Sequence, residues 1–334
     1  MGRAVAVVVV VLVIAVACGG AAWWALEQYR RPGPLVAKTT FIVPKGAAVK
    51  EIAARLADAG NIADPLIFRL GARFDEADER LRAGEYAFSP GISAREVVAK
   101  LAEGLTVVRR LTIPEGLAAA EVVALVAAAD GLEGEVAPMP AEGSLLPETY
   151  YISYGDSRAD LIRRMTDAMD RTLAELWEGR APDLPFETPE EALILASIVE
   201  KETAVPEERP RVAAVFVNRL RKGMPLQSDP TVAYGLALEA GPATRALTFA
   251  DLKKPTPYNT YLIEGLPPGP ITNPGRAALE AVLHPVETEE LYFVADGTGG
   301  HAFARTLEEH NRNVANWRKI QKKARRALDR EDPL

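Results

Sequence analysis

The chain has 334 residues, a net charge of −7 and one cysteine. That length is enough for about two or three domains. An acidic balance gives no general case for nucleic-acid binding, and a lone cysteine excludes a disulfide framework within the chain.

Residues 4–26 are apolar and uncharged, long enough to cross a bilayer as a helix. Trp23 and Trp24 close the run, as expected at a membrane interface. Glu27, Gln28, Arg30 and Arg31 follow, and Pro32-Gly33-Pro34 reads as a stiff linker. Two alternatives compete. Ala15-Val16-Ala17 is a possible signal-peptidase site, and Cys18 a possible lipidation site. The run continues past Cys18 through the tryptophans, which a cleaved signal would not need, so the reading is an uncleaved anchor. Arg3 competes with Arg30 and Arg31, so charge does not set the orientation.

Thr39-Thr40-Phe41-Ile42-Val43 reads as a strand turned by Pro44-Lys45-Gly46. A helix over 48–58 follows, with Val49, Ile52, Ala53 and Leu56 at helical spacing. A second helix starts near Asp64-Pro65, and Gly84-Glu85-Tyr86-Ala87-Phe88 is a strand. Ser93 then caps a helix to Glu103. This β-α-α-β-α order over 39–104 resembles a LysM-like small α+β module, a fold often found on glycan-binding proteins; a purely structural membrane-proximal domain is the alternative. The strand–turn–helix pattern recurs at 107–129, where Ile113-Pro114-Glu115-Gly116 matches Val43-Pro44-Lys45-Gly46. Residues 142–151 then read as a shaped loop with Pro147, Glu148 and two tyrosines, and 160–177 as an amphipathic helix.

The central segment is Ile194-Leu195-Ala196-Ser197-Ile198-Val199-Glu200-Lys201-Glu202-Thr203. Upstream, Thr188 supplies an N-cap, Pro189 the first helical position, and Glu190 and Glu191 the acidic first turn, so a helix over 189–203 is predicted. At 100° per residue, Glu202 falls on the apolar face of Leu195, Ile198 and Val199. Glu200 lies about 200° round the helix, nearer Ser197 and Lys201, and reads as a solvated charge. Desolvation would raise the pKa of Glu202, and a carboxyl kept protonated near neutral pH is what a general acid needs. The competing reading of Glu202 is a charge at a fraying helix end, or half of a structural ion pair.

A helix over 206–221 follows, then a turn at Gln227-Ser228-Asp229-Pro230-Thr231 in which Asp229 is placed to cap residues 231–236. Pro255-Thr256-Pro257-Tyr258-Asn259-Thr260-Tyr261 alternates aromatics with small polar groups. Tyrosine faces stack on sugar rings and Asn or Thr pairs with hydroxyls, so the loop suits a carbohydrate groove; tyrosines stapling a surface loop to the core are the alternative. Residues 274–284 read as a helix, and 291–295 and 301–304 as strands of a hairpin. Thr306 caps a terminal helix, whose basic cluster over 318–326 reads as a solvated face. The three histidines, His284, His301 and His310, fall at no metal-ligand spacing, and neither a metal nor an organic cofactor is called for.

Together these stretches resemble the MltG (YceG-like) family of membrane-anchored endolytic murein transglycosylases. The resemblance rests on residues 195–203, Phe216-Val217-Asn218-Arg219-Leu220, and residues 226–235 from Leu226-Gln227-Ser228-Asp229-Pro230. It continues through Thr256-Pro257-Tyr258-Asn259-Thr260-Tyr261, Gly265-Leu266-Pro267-Pro268-Gly269, residues 291–295 and His301-Ala302-Phe303. It implies an α+β protein with a transmembrane anchor over 1–34, a LysM-like module over 35–105 and a YceG-like catalytic domain over 106–334. It makes Glu202 the catalytic residue, in agreement with the helical phase. The family's upstream loop tends to end Pro-Asp-Thr-Tyr; here Glu148 is one methylene longer. Gln227, Ser228, Asp229, Tyr258, Asn259, Tyr261 and Glu148 are the expected substrate-binding residues. The implied partners are peptidoglycan glycan strands, the membrane and penicillin-binding synthases. The implied location is the cytoplasmic membrane, with the N-terminus inside and the catalytic domain outside. A non-catalytic glycan-binding scaffold and a water-using muramidase are the rival readings.

Overall fold

The computed structural model describes residues 2–241 and 245–331, and the architecture is mixed α+β. In chain order the elements are α1 (Gly2–Arg30), β1 (Thr39–Val43), α2 (Val49–Asp58), α3 (Pro65–Phe74), β2 (Gly84–Phe88), α4 (Ala94–Glu103), β3 (Val108–Thr112), α5 (Ala119–Ala128), β4 (Leu132–Glu133), β5 (Thr149–Ser153), β6 (Asp156–Ser157), α6 (Arg158–Glu178), α7 (Pro189–Glu202), α8 (Arg209–Arg221), α9 (Asp229–Ala240), α10 (Arg276–Leu283), β7 (Tyr292–Ala295), β8 (His301–Ala304) and α11 (Leu307–Glu331). They form two compact units. One comprises Met1–Leu111, Ala129–Glu133 and Tyr151–Ser157; the other comprises Thr112–Ala128, Gly134–Tyr150 and Arg158–Leu334.

In the first unit β1 pairs antiparallel with β2, Phe41 opposite Tyr86, and α2, α3 and α4 complete the expected β-α-α-β-α order. Local signals set the helix starts. Asp64 accepts from the Leu66 and Ile67 amides at 2.7 and 3.2 Å, with Pro65 in the first turn. Ser93 and Glu96 form a capping box. Leu56, Phe68, Tyr86, Phe88 and Leu101 are fully buried and make the core.

α1 is helical without interruption through Ala15-Val16-Ala17-Cys18, and it is long and apolar enough to cross a membrane. Its large apolar side chains are exposed from Val5 to Trp24. At the other end Tyr29 is buried. Its ring lies over Gly71 of α3, where a Cβ would come within 2.2 Å of it, and its hydroxyl donates to Asp75 at 2.9 Å. Residues 32–34 are not a free linker. The Gly33 amide donates to the Ile92 carbonyl at 3.2 Å, and the Gly91 amide to Leu35 at 2.7 Å. The proline-held segment therefore lies on the turn before α4. α1 is part of the first unit's packing, not a tether to it.

The second unit is built around α7. Thr188 and Glu191 form a capping box at its start, and α8 and α10 pack along it. Leu195, Ile198, Val199, Val212, Leu279 and Val282 are fully buried. The supposedly polar side is covered too. Ser197 is fully buried; its hydroxyl donates to Ile194 at 2.7 Å and accepts from the Ile271 amide at 3.0 Å. Glu200 is consequently not a solvated charge: its side chain is only 6% exposed. The start of α10 moves for the same reason. Gly275, not Pro274, precedes the helix, and its amide donates to the Glu200 carboxylate at 2.9 Å. An anion thus sits at the α10 N-terminus, where free amides and the helix dipole favour it. A Cβ on Gly275 would come within 1.9 Å of Glu115.

The two matching turns place their central residues in ion pairs. Lys45 lies 3.1 Å from Glu133 in the first unit, and Glu115 lies 3.5 Å from Arg209 in the second. Tyr150 and Tyr151, expected in a loop, belong to β5, which pairs with β3. β7 and β8 form the expected antiparallel hairpin. Thr306 caps α11, which leaves Arg318, Lys319, Lys322 and Lys323 exposed; the side chains of Arg325 and Arg326 lie outside those described.

Candidate active site

Glu202 is the last residue of α7 and is partly buried. Its Oε1 accepts a hydrogen bond of 2.5 Å from the Ser228 hydroxyl. Burial pushes its pKa up to about 6; the Ser228 hydrogen bond opposes the rise, the nearby Asp229 carboxylate adds to it, and His301 and Arg219 oppose it. The group is therefore a carboxylic acid that is half protonated at about pH 6 and keeps part of its surface open. Those are the two properties a proton donor to an incoming substrate needs.

The loop before α9 brings Ser228 there. Gln227 takes a left-handed backbone conformation, with φ of 54°, and its amide donates to the Thr260 carbonyl at 3.0 Å. The Ser228 amide donates to the Thr260 hydroxyl at 2.9 Å. This corrects the expected cap. Ser228, not Asp229, is the residue before α9, and it makes no side-chain cap because its hydroxyl goes to Glu202. Asp229 opens the helix, exposed, and accepts from the Tyr261 hydroxyl at 2.6 Å. Desolvation and the Asp229 carboxylate both hold the Tyr261 phenol well above its usual range.

Arg219, which residue type and spacing did not single out, holds the floor of this arrangement. It is buried on α8 and donates to the Leu226 and Leu291 carbonyls at 2.8 and 2.7 Å and to the Gln227 side chain at 3.3 Å. One guanidinium thereby ties the loop before Ser228 to the hairpin, over the ring of Tyr292. His301, first residue of β8, is held by Glu208. The carboxylate accepts from the His301 amide at 2.9 Å and pairs with its Nδ1 at 2.7 Å. His301 was legible only as part of the His301-Ala302-Phe303 motif, and Glu208 only as one residue of the helix expected over 206–221.

The remaining expected residues separate. Gln227 is exposed beside Ser228. Asn259 is fully buried, with its amide donating to the Leu252 and Lys254 carbonyls and its Oδ1 accepting from the Tyr261 amide, so it shapes the loop that carries Tyr261. Tyr258 belongs to a second cluster, edge-on to Tyr234 with centroids 4.9 Å apart. Tyr234 donates to Glu142 at 3.4 Å, and Glu142 also accepts from the Ala119 amide at 2.8 Å. Burial raises the Glu142 pKa. Glu142 is the inward-facing carboxylate of the 142–151 segment, whereas Glu148 is exposed at its far end, next to Tyr150. A glycine neighbour, Gly143, was the one sequence signal that a backbone bends there to turn Glu142 inward.

Glu200 has a different environment from Glu202. Its carboxylate lies 3.6 Å from Arg209 and takes the Gly275 amide; burial outweighs these and raises its pKa. Among the described residues no group of acids, histidines and cysteine has the arrangement of a metal site.

Residues 41–316 match the YceG-like family. Two curated proteins, each named endolytic murein transglycosylase, are similar to the chain. The one from Streptococcus pneumoniae strain D39 is 32% identical over 321 aligned residues, covering 83% of this chain, and the chain spans only 58% of that relative's length. The one from Bacillus subtilis is 30% identical over 301 residues, covering 81% of this chain and 82% of the relative. A 2.6 Å crystal structure of a yceG-like protein from Listeria monocytogenes is 31% identical with a TM-score of 0.52, covering 82% of this chain and 98% of that one.

Proposed function

Because the chain belongs to the YceG-like family, we propose that it is an endolytic murein transglycosylase in which Glu202 is both the acid and the base. The protonated Glu202 gives its proton to the glycosidic oxygen joining C1 of N-acetylmuramic acid to C4 of N-acetylglucosamine, and the C1–O bond breaks. The Glu202 carboxylate then takes the proton of the muramic acid C6 hydroxyl as that oxygen bonds to C1. The products are a 1,6-anhydro end and a free N-acetylglucosamine C4 hydroxyl; no water is consumed. Proton transfer of this kind is worth about 10²–10⁴-fold in rate, and binding along the groove supplies the remainder.

The single observation that carries this reading is one partly buried carboxyl, pushed up to about 6, with a hydroxyl donor on it. Hydrolysis by a carboxylate pair needs two acids facing one bond. Glu200 is fastened to Arg209 and Gly275, which supports a one-acid mechanism over the muramidase alternative. Ser228 steadies the carboxylate formed midway. Asp229, Tyr261 and the exposed Gln227 line the sugar-binding groove, Tyr258 forms a further stacking face, and Asn259 shapes the loop. Glu148 is the member whose position supports a contact with substrate least.

The proposal extends to the setting. Residues 106–334 form the catalytic domain, and 35–105 a LysM-like module. α1 spans the cytoplasmic membrane once, N-terminus inside, with nascent glycan strands and the penicillin-binding synthases that make them on the outside. Cleavage there sets strand length.

Mass spectrometry of muropeptides tests the chemistry, using uncross-linked glycan strands and the full chain. Anhydro-ended internal fragments should form with wild type and with Glu190→Gln, whose side chain is exposed in the first turn of α7, and vanish with Glu202→Gln. Fragments made equally well by Glu202→Gln would remove Glu202 from the reaction. Reducing ends in place of anhydro ends would favour the muramidase. Bound but uncut strands would favour the scaffold.

A further inference from the structure

Among the described residues of the first unit, α3 carries an exposed apolar face. On α3, Leu66, Leu70 and Phe74 recur every four residues and are 55%, 51% and 64% exposed. Arg69 and Arg73 are exposed between them, and the outward face of the helix holds no acid. An apolar row flanked by arginines is the pattern of an interfacial helix.

The packing of α1 says what covers this face. The start of α3, at Asp64 and Ile67, lies beside Gln28, Arg31 and Pro32, and its end, at Leu70 and Phe74, lies beside Ala22, Ala25 and Leu26. α3 thus descends along α1 in the direction of the apolar run. Phe74 reaches the helical turn of Trp23 and Trp24, which are 72% and 55% exposed. A cleft of about 190 Å³ between the two helices, nearly all apolar, opens at that level. Glu76 and Glu79 are exposed in the following turn, so apolar contact, not attraction to anionic headgroups, must carry any binding.

We propose that the outward face of α3 inserts into the outer leaflet of the membrane that α1 spans. Phe74 lies deepest, Leu70 closes the cleft over lipid chains, and Leu66 sits near the headgroups; Arg69 extends to phosphates, while Arg73 lies 3.7 Å from Asp78. The inference rests on the membrane-spanning reading of α1.

The test uses the full chain in vesicles of phosphatidylcholine and phosphatidylglycerol. In a Cys18→Ser background a single cysteine replaces Phe74, Leu66 or, on α2, the exposed Lys50, and carries an environment-sensitive fluorophore. Lipids bearing a nitroxide on a shallow acyl carbon should quench the label at 74 strongly and at 66 weakly. Aqueous iodide should quench the label at 50 but barely that at 74. A label at 74 as open to iodide as that at 50, on protein that floats with the vesicles, would overturn the inference while leaving the span intact. A label shielded from iodide yet untouched by the nitroxide lipid would also overturn it and assign the face to a second copy or another protein. Protein that fails to float would overturn the span and the inference together.

Discussion

Replacing Glu202 by glutamine should make the protein more stable and inactive. A carboxyl pushed from 4.5 to about 6 binds its proton more tightly in the folded state than in the unfolded one. Its stabilising contribution is therefore complete below about pH 4.5 and is lost as pH rises through 6. The loss amounts to about 2 kcal/mol once both states are ionised. Glutamine is neutral throughout and keeps an oxygen for the Ser228 hydroxyl, so it avoids that loss without orphaning the donor. The difference between variant and wild type should be close to zero at pH 4 and should reach about 2 kcal/mol by pH 7.5. For a unit of this size, that is a rise of about 4–8 °C in melting temperature. Thermal unfolding of the full chain in mild detergent, followed by near-ultraviolet circular dichroism at both pH values, measures it. Equal melting temperatures at pH 7.5, or a gain of the same size at pH 4, would refute the account of Glu202 as a carboxyl held protonated by burial.

The alkaline limb of kcat/KM should fall near pH 6 in wild type; Asp229→Asn, by removing a neighbouring negative charge, should move it down, as pH–rate profiles on glycan strands will show. Ser228→Ala should move the same limb up and lower kcat by about tenfold, since a hydrogen bond to a charged group is lost as the carboxylate forms; an unchanged limb would separate Ser228 from the acid. Glu200→Gln should be at least as stable as wild type in urea unfolding at about pH 7.5, because burial holds the Glu200 pKa up against Arg209 and the Gly275 amide, and Glu115 still neutralises Arg209. A marked loss of stability would mean that the pairing with Arg209 outweighs burial. Gly71→Ala should push Tyr29 off α3, and trypsin should then cut after Arg30 of the vesicle-embedded protein much faster than in wild type.

The start of α7 was legible because its rules are local: Thr188, Pro189 and Glu191 act within one turn, and the capping box is present. The β-α-α-β-α order was legible on the same grounds. The burial of the Glu202 carboxyl was legible because its helical phase puts it on the apolar side of α7. Glu200 was misread because its partners, Arg209 and the Gly275 amide, come from other segments, and no periodicity on α7 reports them. Arg219 and Glu208 were missed since each acts across the fold, on Leu291 and His301, and looks on its own helix like an ordinary surface charge. Asn259 had the right chemistry for a sugar hydroxyl, but its own loop's carbonyls take it first. Pro32-Gly33-Pro34 has the composition of a spacer; only the carbonyl of Ile92, waiting opposite Gly33, turns it into a seam.

That seam, with Tyr29 seated on Gly71, leaves no swivel between the apolar helix and the unit it enters. The uncharged run of residues 4–26 is about 34 Å long as a helix, against a hydrocarbon layer of about 30 Å. A helix longer than its layer leans over, and a thinner bilayer makes it lean further. With a flexible joint the lean would stop at the membrane. If α1 spans a bilayer as proposed, every degree of it would be handed to the β1–β2 unit, so lipid composition would become a means of aiming that unit as well as of holding it.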